Sequence, residues 1–280
     1  MTPSVLVVTV TYNSAGALRS FLRTVPGASS APLRVVVAEN NSAEAEQTRE
    51  VAEQAGATFY HLPENAGYGG GVAAALERAG HDFDYLLVSN PDVELGSGSV
   101  DALVCAAEEL PLAGSLGPRI LDSDGTIYPS ARRLPSLRTG VGHALFGRIW
   151  HSNPWSRRYR SLTDGPERRE AGWLSGACLL IRREAYEQVG GFDTGYFMYF
   201  EDVDLGAKLG HASWKNIYVP EAVVTHSGAH STSRNALRME QMHHDSAYRY
   251  LSRKYTGWYL APLRLALRFG LRARLWWVSR

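Results

Sequence analysis

From Ser4 to Glu109 the chain alternates short, continuous apolar runs with longer stretches whose apolar residues recur every three or four positions. Ser4–Val10 is almost wholly β-branched or aliphatic, the pattern of a strand buried on both faces of a parallel sheet. Ala15–Val25 has helical spacing, with Asn13 or Ser14 available as its N-cap. The same reading predicts strand Arg34–Ala38, helix Ala43–Ala55, strand Thr58–Leu62, helix Gly70–Ala79, strand Tyr85–Ser89 and helix Ser99–Glu109. Strands separated by single helices make βαβ units, and these build a parallel sheet with right-handed crossovers. Ligands bind such sheets beyond the carboxyl ends of the strands. Three polar clusters fall there: Thr11-Tyr12-Asn13, Glu39-Asn40-Asn41-Ser42 and Asn90-Pro91-Asp92.

The rhythm breaks across residues 129–170, where Pro129, Pro135, Pro154 and Pro166 interrupt an Arg- and Trp-containing stretch. A loop or lid over the sheet is expected there. Beyond it, Trp173–Ile181 reads as a strand, Arg183–Val189 and Val203–Leu209 as short helices, and Lys215–Val219 and Ala222–Thr225 as two short strands. From Ala236 the pattern is helical almost to the end.

Charge changes this picture more than composition does. The 280 residues are 45% hydrophobic and 20% charged, ordinary for a globular chain, which excludes wholesale disorder. The net charge of +1 hides an asymmetry: residues 1–124 carry 6 basic and 16 acidic side chains, residues 125–280 carry 23 and 12. Residues 125–163 hold seven Arg and no acid, and residues 246–280 hold seven Arg, one Lys and no acid. Nucleic acid, anionic lipid or a diphosphate-bearing substrate each fit such stretches, as does a solvated basic face. The two cysteines, Cys105 and Cys178, sit in apolar runs and are expected to be buried thiols in a reducing compartment. The start of the chain has no basic n-region, and its apolar run is too short for a signal peptide or a span.

Four places offer chemistry. Asp92 follows a stiff proline at a strand end, beside Asn90, and suits a divalent cation on a diphosphate; a plain turn is the alternative. Glu64-Asn65-Ala66-Gly67-Tyr68-Gly69-Gly70-Gly71 opens a helix, where glycines admit close backbone approach and the helix end favours anions; it also suits mere helix-on-strand packing. Phe200-Glu201-Asp202-Val203-Asp204-Leu205 sets three carboxylates within four residues at the start of a helix, and such a cluster needs a cation, a basic partner or a raised pKa. His226 ends a strand. The serine-hydrolase, zincin and zinc-ribbon motifs are absent.

Taken in order, Val10-Thr11-Tyr12-Asn13-Ser14, Glu39-Asn40-Asn41-Ser42, Asn65 to Gly71, Asn90-Pro91-Asp92-Val93, Ser175-Gly176-Ala177, Gly191-Phe192-Asp193 and Phe200 to Leu205 resemble the family 2 glycosyltransferases. The resemblance spans roughly residues 4–255 and is strongest to the rhamnosyltransferase branch. It implies a GT-A fold: an α/β, Rossmann-like, mostly parallel central sheet flanked by helices, here with a helical C-terminal extension. Residues 1–125 are then a nucleotide-sugar-binding half, 126–232 an acceptor-binding and catalytic half carrying the Arg-rich loop 129–170, and 233–280 C-terminal helices. Implied donor contacts are Thr11, Tyr12, Asn13, Glu39, Asn65, Gly67, Gly71 and Asn90. Asp92 and His226 are implied metal ligands for Mg²⁺ or Mn²⁺, Asp202 the general base, and Trp173, Ser175, Gly176 and Glu201 the acceptor side. The chain departs from the family at Glu39 and Asn90, where Asp is usual.

The Arg- and Trp-rich tail resembles the members that add rhamnose to a polyprenyl-diphosphate-linked GlcNAc. The implied donor is dTDP-L-rhamnose, and the implied reaction is an inverting transfer in cell-wall linker synthesis. Arg264, Arg268 and Arg272 recur every four residues, so the last helix is expected to lie in plane on the inner face of the cell membrane, on a cytoplasmic, peripheral protein. The basic 125–163 stretch is expected to face the same lipid diphosphate. Packing of that helix on the domain, or on a second subunit in a homodimer, is the alternative. A sugar-phosphate nucleotidyltransferase is a distant rival, since no Lys or Arg precedes Arg19. A nucleic-acid partner leaves the carboxylate cluster unexplained and is not expected.

Overall fold

A computed structural model describes residues 3–136, 167–227 and 236–278, so most of the expected loop or lid 129–170 lies outside the described residues. Strand β1 (Val5–Thr11) is buried along its whole length, as its apolar run requires. It pairs in parallel with β2 (Arg34–Glu39) on one side and β4 (Tyr85–Ser89) on the other, and β3 (Thr58–His61) extends the sheet beyond β2. Helix α1 (Ala15–Ala28) buries Leu18, Phe21, Leu22 and Val25, the stripe its spacing predicted. Helices α2 (Ala45–Gln54), α3 (Gly67–Ala79) and α4 (Ser99–Glu109) complete the βαβ pattern. One apolar core, with Leu18, Phe21 and Leu103, fills one face of the sheet; another, with Val72, Leu76 and Leu205, fills the other.

Most strands of the second half enter the same sheet. The remaining strands are β5 (Val93–Leu95), β6 (Ala113–Asp122), β7 (Ile127–Tyr128), β8 (Ala131–Arg132), β9 (Arg169–Ala171), β10 (Trp173–Leu174), β11 (Cys178–Arg182) and β12 (Lys215–His226). The main order is β3-β2-β1-β4-β11-β6-β12-β5, with β7 on β6 and β9 on β12, while β8 and β10 form a separate pair. β11 runs antiparallel to both β4 and β6, and β5 antiparallel to β12, so the sheet is mixed around a parallel majority.

Several sequence expectations change in detail. The strand expected over Trp173–Ile181 divides into β10 and β11, because residues 175–177 turn to present a backbone N–H to Asp202. The two strands expected over 215–225 are one, with an irregularity between Val219 and Val223. Helix α3 starts at Gly67, three residues early, where Asn65 Oδ1 accepts the Gly67 N–H. β5 and β6 were not anticipated. Cys178 is buried, but Cys105 is exposed on α4, on the side away from the α4 residues Leu103 and Ala106 that enter the core.

Helices α5 (Arg183–Gln188) and α6 (Glu201–His211) flank β11 and β12, and α7 (Ala236–Lys254) joins them through a small cluster of Trp173, Tyr196, Val203 and Tyr250. A 3₁₀ turn (Trp258–Leu260) leads to α8 (Ala261–Val278), which lies against α7. The expected Arg stripe of α8 is partly engaged: Arg264 donates to the Tyr255 and Gly257 carbonyls, and Arg268 lies over the Tyr248 ring. Trp258, Tyr259, Leu265 and Phe269 stay exposed. Among the described residues, no helix is long and apolar enough to cross a membrane.

Candidate active site

The parallel register brings the first two polar clusters together, since Thr11 pairs with Glu39 and Glu39 with His61 across neighbouring strand ends. Thr11 is fully buried, and its Oγ1 reaches the Ala38 carbonyl at 3.4 Å. Asn13 adopts φ 51°, and its Oδ1 accepts the Ala43 N–H at 3.1 Å, so the two loops hold each other. Both Glu39 oxygens accept the Ser42 N–H, and His61 Nε2 lies 3.7 Å from the carboxylate. Tyr12, by contrast, is 46% exposed, an aromatic face open to solvent beside these loops.

The glycine-rich segment fits against this edge. Asn40, buried, donates from Nδ2 to the Gly67 carbonyl and accepts the Ala66 N–H. Gly67 has φ 74°, and a Cβ there would collide with the Phe197 carbonyl. A Cβ on Gly71 would lie 2.7 Å from Val10 Cγ1, so Gly71 sets the close approach of α3 to β1 and does not open towards a ligand. The helix-packing alternative therefore accounts for Gly71, and the turn for Gly67.

Asp92 and His226 are 134 positions apart, yet Asp92 Oδ1 and His226 Nε2 lie 3.1 Å apart. β12 pairs with β5 so that His226 stands opposite Val93, next to Asp92. Asn90 Nδ2 is 3.5 Å from the same imidazole nitrogen, and Tyr128 lies edge-on to the ring at 6.5 Å. Both side chains of the pair keep 17–18% exposure. One carboxylate and one imidazole suit Mg²⁺ or Mn²⁺ with a diphosphate completing the shell. Two adjacent ligands, each about 2.1 Å from one ion, stand about 3 Å apart, and this pair has that spacing. Among the described residues no third His, Cys, Asp or Glu joins them.

The carboxylate cluster resolves into different environments. Tyr199 and Phe200 both take φ 67° and turn the chain into α6. Asp202 Oδ2 accepts the Gly176 N–H at 3.0 Å, and Oδ1 accepts the Val203 N–H at 2.8 Å. Burial raises the Asp202 carboxyl above the usual carboxylate range, opposed by those two N–H groups and, through space, by Arg132. Glu201 is buried, and among the described residues its Oε2 has no hydrogen-bond partner; burial first, then the neighbouring Asp202 charge, push its carboxyl up to about 8. Asp204 faces Lys208 Nζ at 3.7 Å and the Tyr196 hydroxyl, a basic partner on its own helix. Asp193 is held by Gly195 N–H, Arg249 and Arg253, which outweigh burial and keep its carboxyl low.

Ser175 and Gly176 stand at this second centre, with Ser175 Oγ accepting the Ala177 N–H. Trp173 is largely buried; its Nε1 donates to the Arg133 carbonyl and its ring packs into the α6–α7 cluster. Three residues given no role by sequence join the parts. Asn40 links β2 to the glycine segment, and Tyr68 donates to the Gly176 carbonyl at 2.7 Å. Arg132 lies over the rings of Tyr128 and Trp173. The available signals were an Asn inside a strand-end cluster, the one aromatic among glycines, and an Arg in a stretch without acids.

Comparison with known proteins gives the family and the fold. The model of "Glycosyl transferase family 2" matches residues 6–190, and that of "Glycosyltransferase like family 2" matches 149–245. The N-acetylglucosaminyl-diphospho-decaprenol L-rhamnosyltransferase of Mycobacterium tuberculosis is 44% identical over 283 residues, covering 98% of this chain and 92% of its own. Among solved structures, GalNAc-T7 with UDP, GalNAc and Mn²⁺ has TM-score 0.59 at 14% identity, over 82% of this chain and 44% of its own. The mannosyltransferase PcManGT of Pyrobaculum calidifontis, in complex with GDP-Man and Mn²⁺, has TM-score 0.58 at 20% identity, over 89% of this chain and 65% of its own. This chain thus spans less than two thirds of either solved neighbour, and they share its fold.

Proposed function

The chain belongs to glycosyl transferase family 2, and from that premise we propose that it moves L-rhamnose from dTDP-L-rhamnose to a polyprenyl-diphosphate-linked GlcNAc, with inversion. Donor and acceptor rest on the mycobacterial relative. The reaction class rests on one observation: Asp92 and His226 meet at strand ends, while Asp202 stands at a helix start holding two backbone N–H donors.

In this reading Thr11, Tyr12, Asn13, Glu39, Asn65, Gly67 and Asn90 shape the donor side, with Gly71 behind them as the packing that seats α3. Trp173, Ser175, Gly176 and Glu201 form the acceptor side. The acceptor hydroxyl attacks the anomeric carbon of the donor sugar as the bond to the nucleoside diphosphate breaks. An alcohol is a weak nucleophile, and Asp202 takes its proton, help worth ~10²–10⁴-fold. The Gly176 and Val203 N–H groups keep Asp202 able to accept that proton against the pull of burial. Asp92 and His226 would hold a divalent cation, which when bound neutralises charge growing on the leaving diphosphate. A single displacement needs one base and no carboxylate nucleophile.

The C-terminal helices are the membrane contact in this reading, on the inner face of the cell membrane. The exposed Trp258, Tyr259, Leu265 and Phe269, flanked by Arg268 and Arg272, support it. Replacing Leu265 and Phe269 by Glu lowers sedimentation with anionic vesicles; unchanged sedimentation overturns the contact. The function is tested by incubating the protein with Mg²⁺, a GlcNAc-diphosphoryl lipid and a panel of sugar nucleotides. The expected product mass is that of a rhamnosylated lipid. Equal or better turnover with UDP-glucose, UDP-galactose or another donor overturns the assignment.

A further inference from the structure

Arg132 serves neither acidic centre directly, yet it stands between them. β8 and β10 pair antiparallel with Arg132 opposite Trp173. The guanidinium carbon lies 5.4 Å from the ring centroid of Tyr128 and 5.4 Å from that of Trp173. Its Nε donates to the Pro129 carbonyl at 2.7 Å. Among the described residues the two terminal nitrogens make no hydrogen bond and no ion pair. On one side, Tyr128 separates the guanidinium from His226. On the other, the chain from Trp173 reaches Gly176, whose N–H holds Asp202, and the Arg132 charge acts on that carboxyl through space.

A guanidinium does not give up its proton in a protein, so Arg132 is neither acid nor base. Its rigid fork matches phosphate oxygens, and two rings with a backbone carbonyl hold the plane before any ligand arrives. A fixed, partly exposed cation whose terminal N–H groups no described residue engages, on the Asp202 side of Tyr128, is built for an anion. The donor diphosphate already has Asp92 and His226. We infer that Arg132, framed by Tyr128 and Trp173, is the subsite for the diphosphate of the lipid-linked acceptor. It sets the distance between that diphosphate and the hydroxyl presented to Asp202, and it selects diphosphoryl acceptors over neutral ones. The inference rests on the acceptor class proposed above.

Two measurements test it, on Arg132→Ala and Arg132→Lys in the full chain. The first compares KM for a GlcNAc-diphosphoryl-farnesyl acceptor with KM for a neutral alkyl GlcNAc glycoside, at saturating donor. Charge-assisted hydrogen bonds are worth about 1.5–3 kcal/mol, so Ala should cut the preference for the diphosphoryl acceptor roughly 10- to 100-fold, and Lys by less. Equal losses on both acceptors, or a loss confined to donor KM, overturn the subsite. The second titrates farnesyl diphosphate calorimetrically and needs no turnover. Wild type should bind it, and Ala should weaken binding at least ~10-fold. Unchanged affinity in a folded variant overturns the inference even where rhamnosyl transfer is intact. If wild type transfers nothing but Arg132-dependent binding remains, the proposed function fails while the diphosphate subsite stands.

Discussion

The strand-end pair and the helix-start pair each contain an aspartate, but the fold builds them by different means. Asp92 and His226 come from distant strands, meet through the β5–β12 register, and remain partly open to solvent. Glu201 and Asp202 are adjacent in sequence, enter α6 through two left-handed residues, and carry carboxyls raised by burial. An open carboxylate beside an imidazole suits an ion that arrives with the substrate. A buried carboxylate held by two N–H groups suits a proton acceptor whose basicity the protein sets. Position in the fold, rather than residue type, separates the two proposed duties.

The comparison breaks most visibly at Asp202. Asp202→Asn keeps the size of the side chain and removes the basic oxygen, so kcat should fall ~10²-fold or more while nucleotide binding by calorimetry changes little. Retained activity would transfer the proton-accepting duty to Glu201. On the other side, His226→Ala should raise the Mn²⁺ concentration needed for half-maximal activity about 10- to 100-fold and leave kcat at saturating metal far less affected. Chelation with EDTA should abolish turnover, and full activity in chelator would remove the cation from the strand-end pair.

A pH experiment sharpens the contrast without touching turnover. The Glu201 carboxyl is raised in the folded chain, so the native state keeps a proton that the unfolded chain releases above about pH 4.3. Stability from this group is present below that pH and is lost as pH rises through the folded value, near 8. Glu201→Gln should therefore gain stability over wild type as pH rises from 5 to 8, by at least ~1.4 kcal/mol, the worth of one pKa unit. Urea unfolding at the two pH values reads it, and a constant difference refutes it. The smallest effect is expected at Tyr68→Phe, which removes the hydroxyl bond to the Gly176 carbonyl. A net hydrogen bond of about 0.5–1.5 kcal/mol predicts a roughly 2- to 10-fold loss in kcat with donor KM little changed.

The parallel half of the fold was legible because β1, β2 and β4 are continuous apolar runs and α1 has a clean stripe. β6 was not, because Ala113-Gly114-Ser115-Leu116-Gly117-Pro118 lacks β-branched residues; its pairing with β12 and β11, not local propensity, makes it a strand. The meeting of Asp92 and His226 was expected from their strand-end positions, whereas the contacts of Arg132 and Tyr68 depend on β8 pairing with β10 and on the turn at 175–177, which no local pattern encodes. The exposed Cys105 shows the limit of composition: an apolar run on a helix still has an outer side.

The insertion of β11 between β4 and β6 bears on how the protein is made. During synthesis β3, β2, β1 and β4 can pair as soon as they emerge, but the free edge of β4 waits for a strand encoded far downstream. That edge carries Leu86, Leu87 and Val88, all without solvent access in the finished fold. An unpaired apolar strand is a template for association with other nascent chains. Premature termination before Cys178 would leave this edge uncovered, making such products candidates for aggregation and clearance. Residues 1–125 thus encode β3, β2, β1 and β4 without the strand that covers the outer edge of β4.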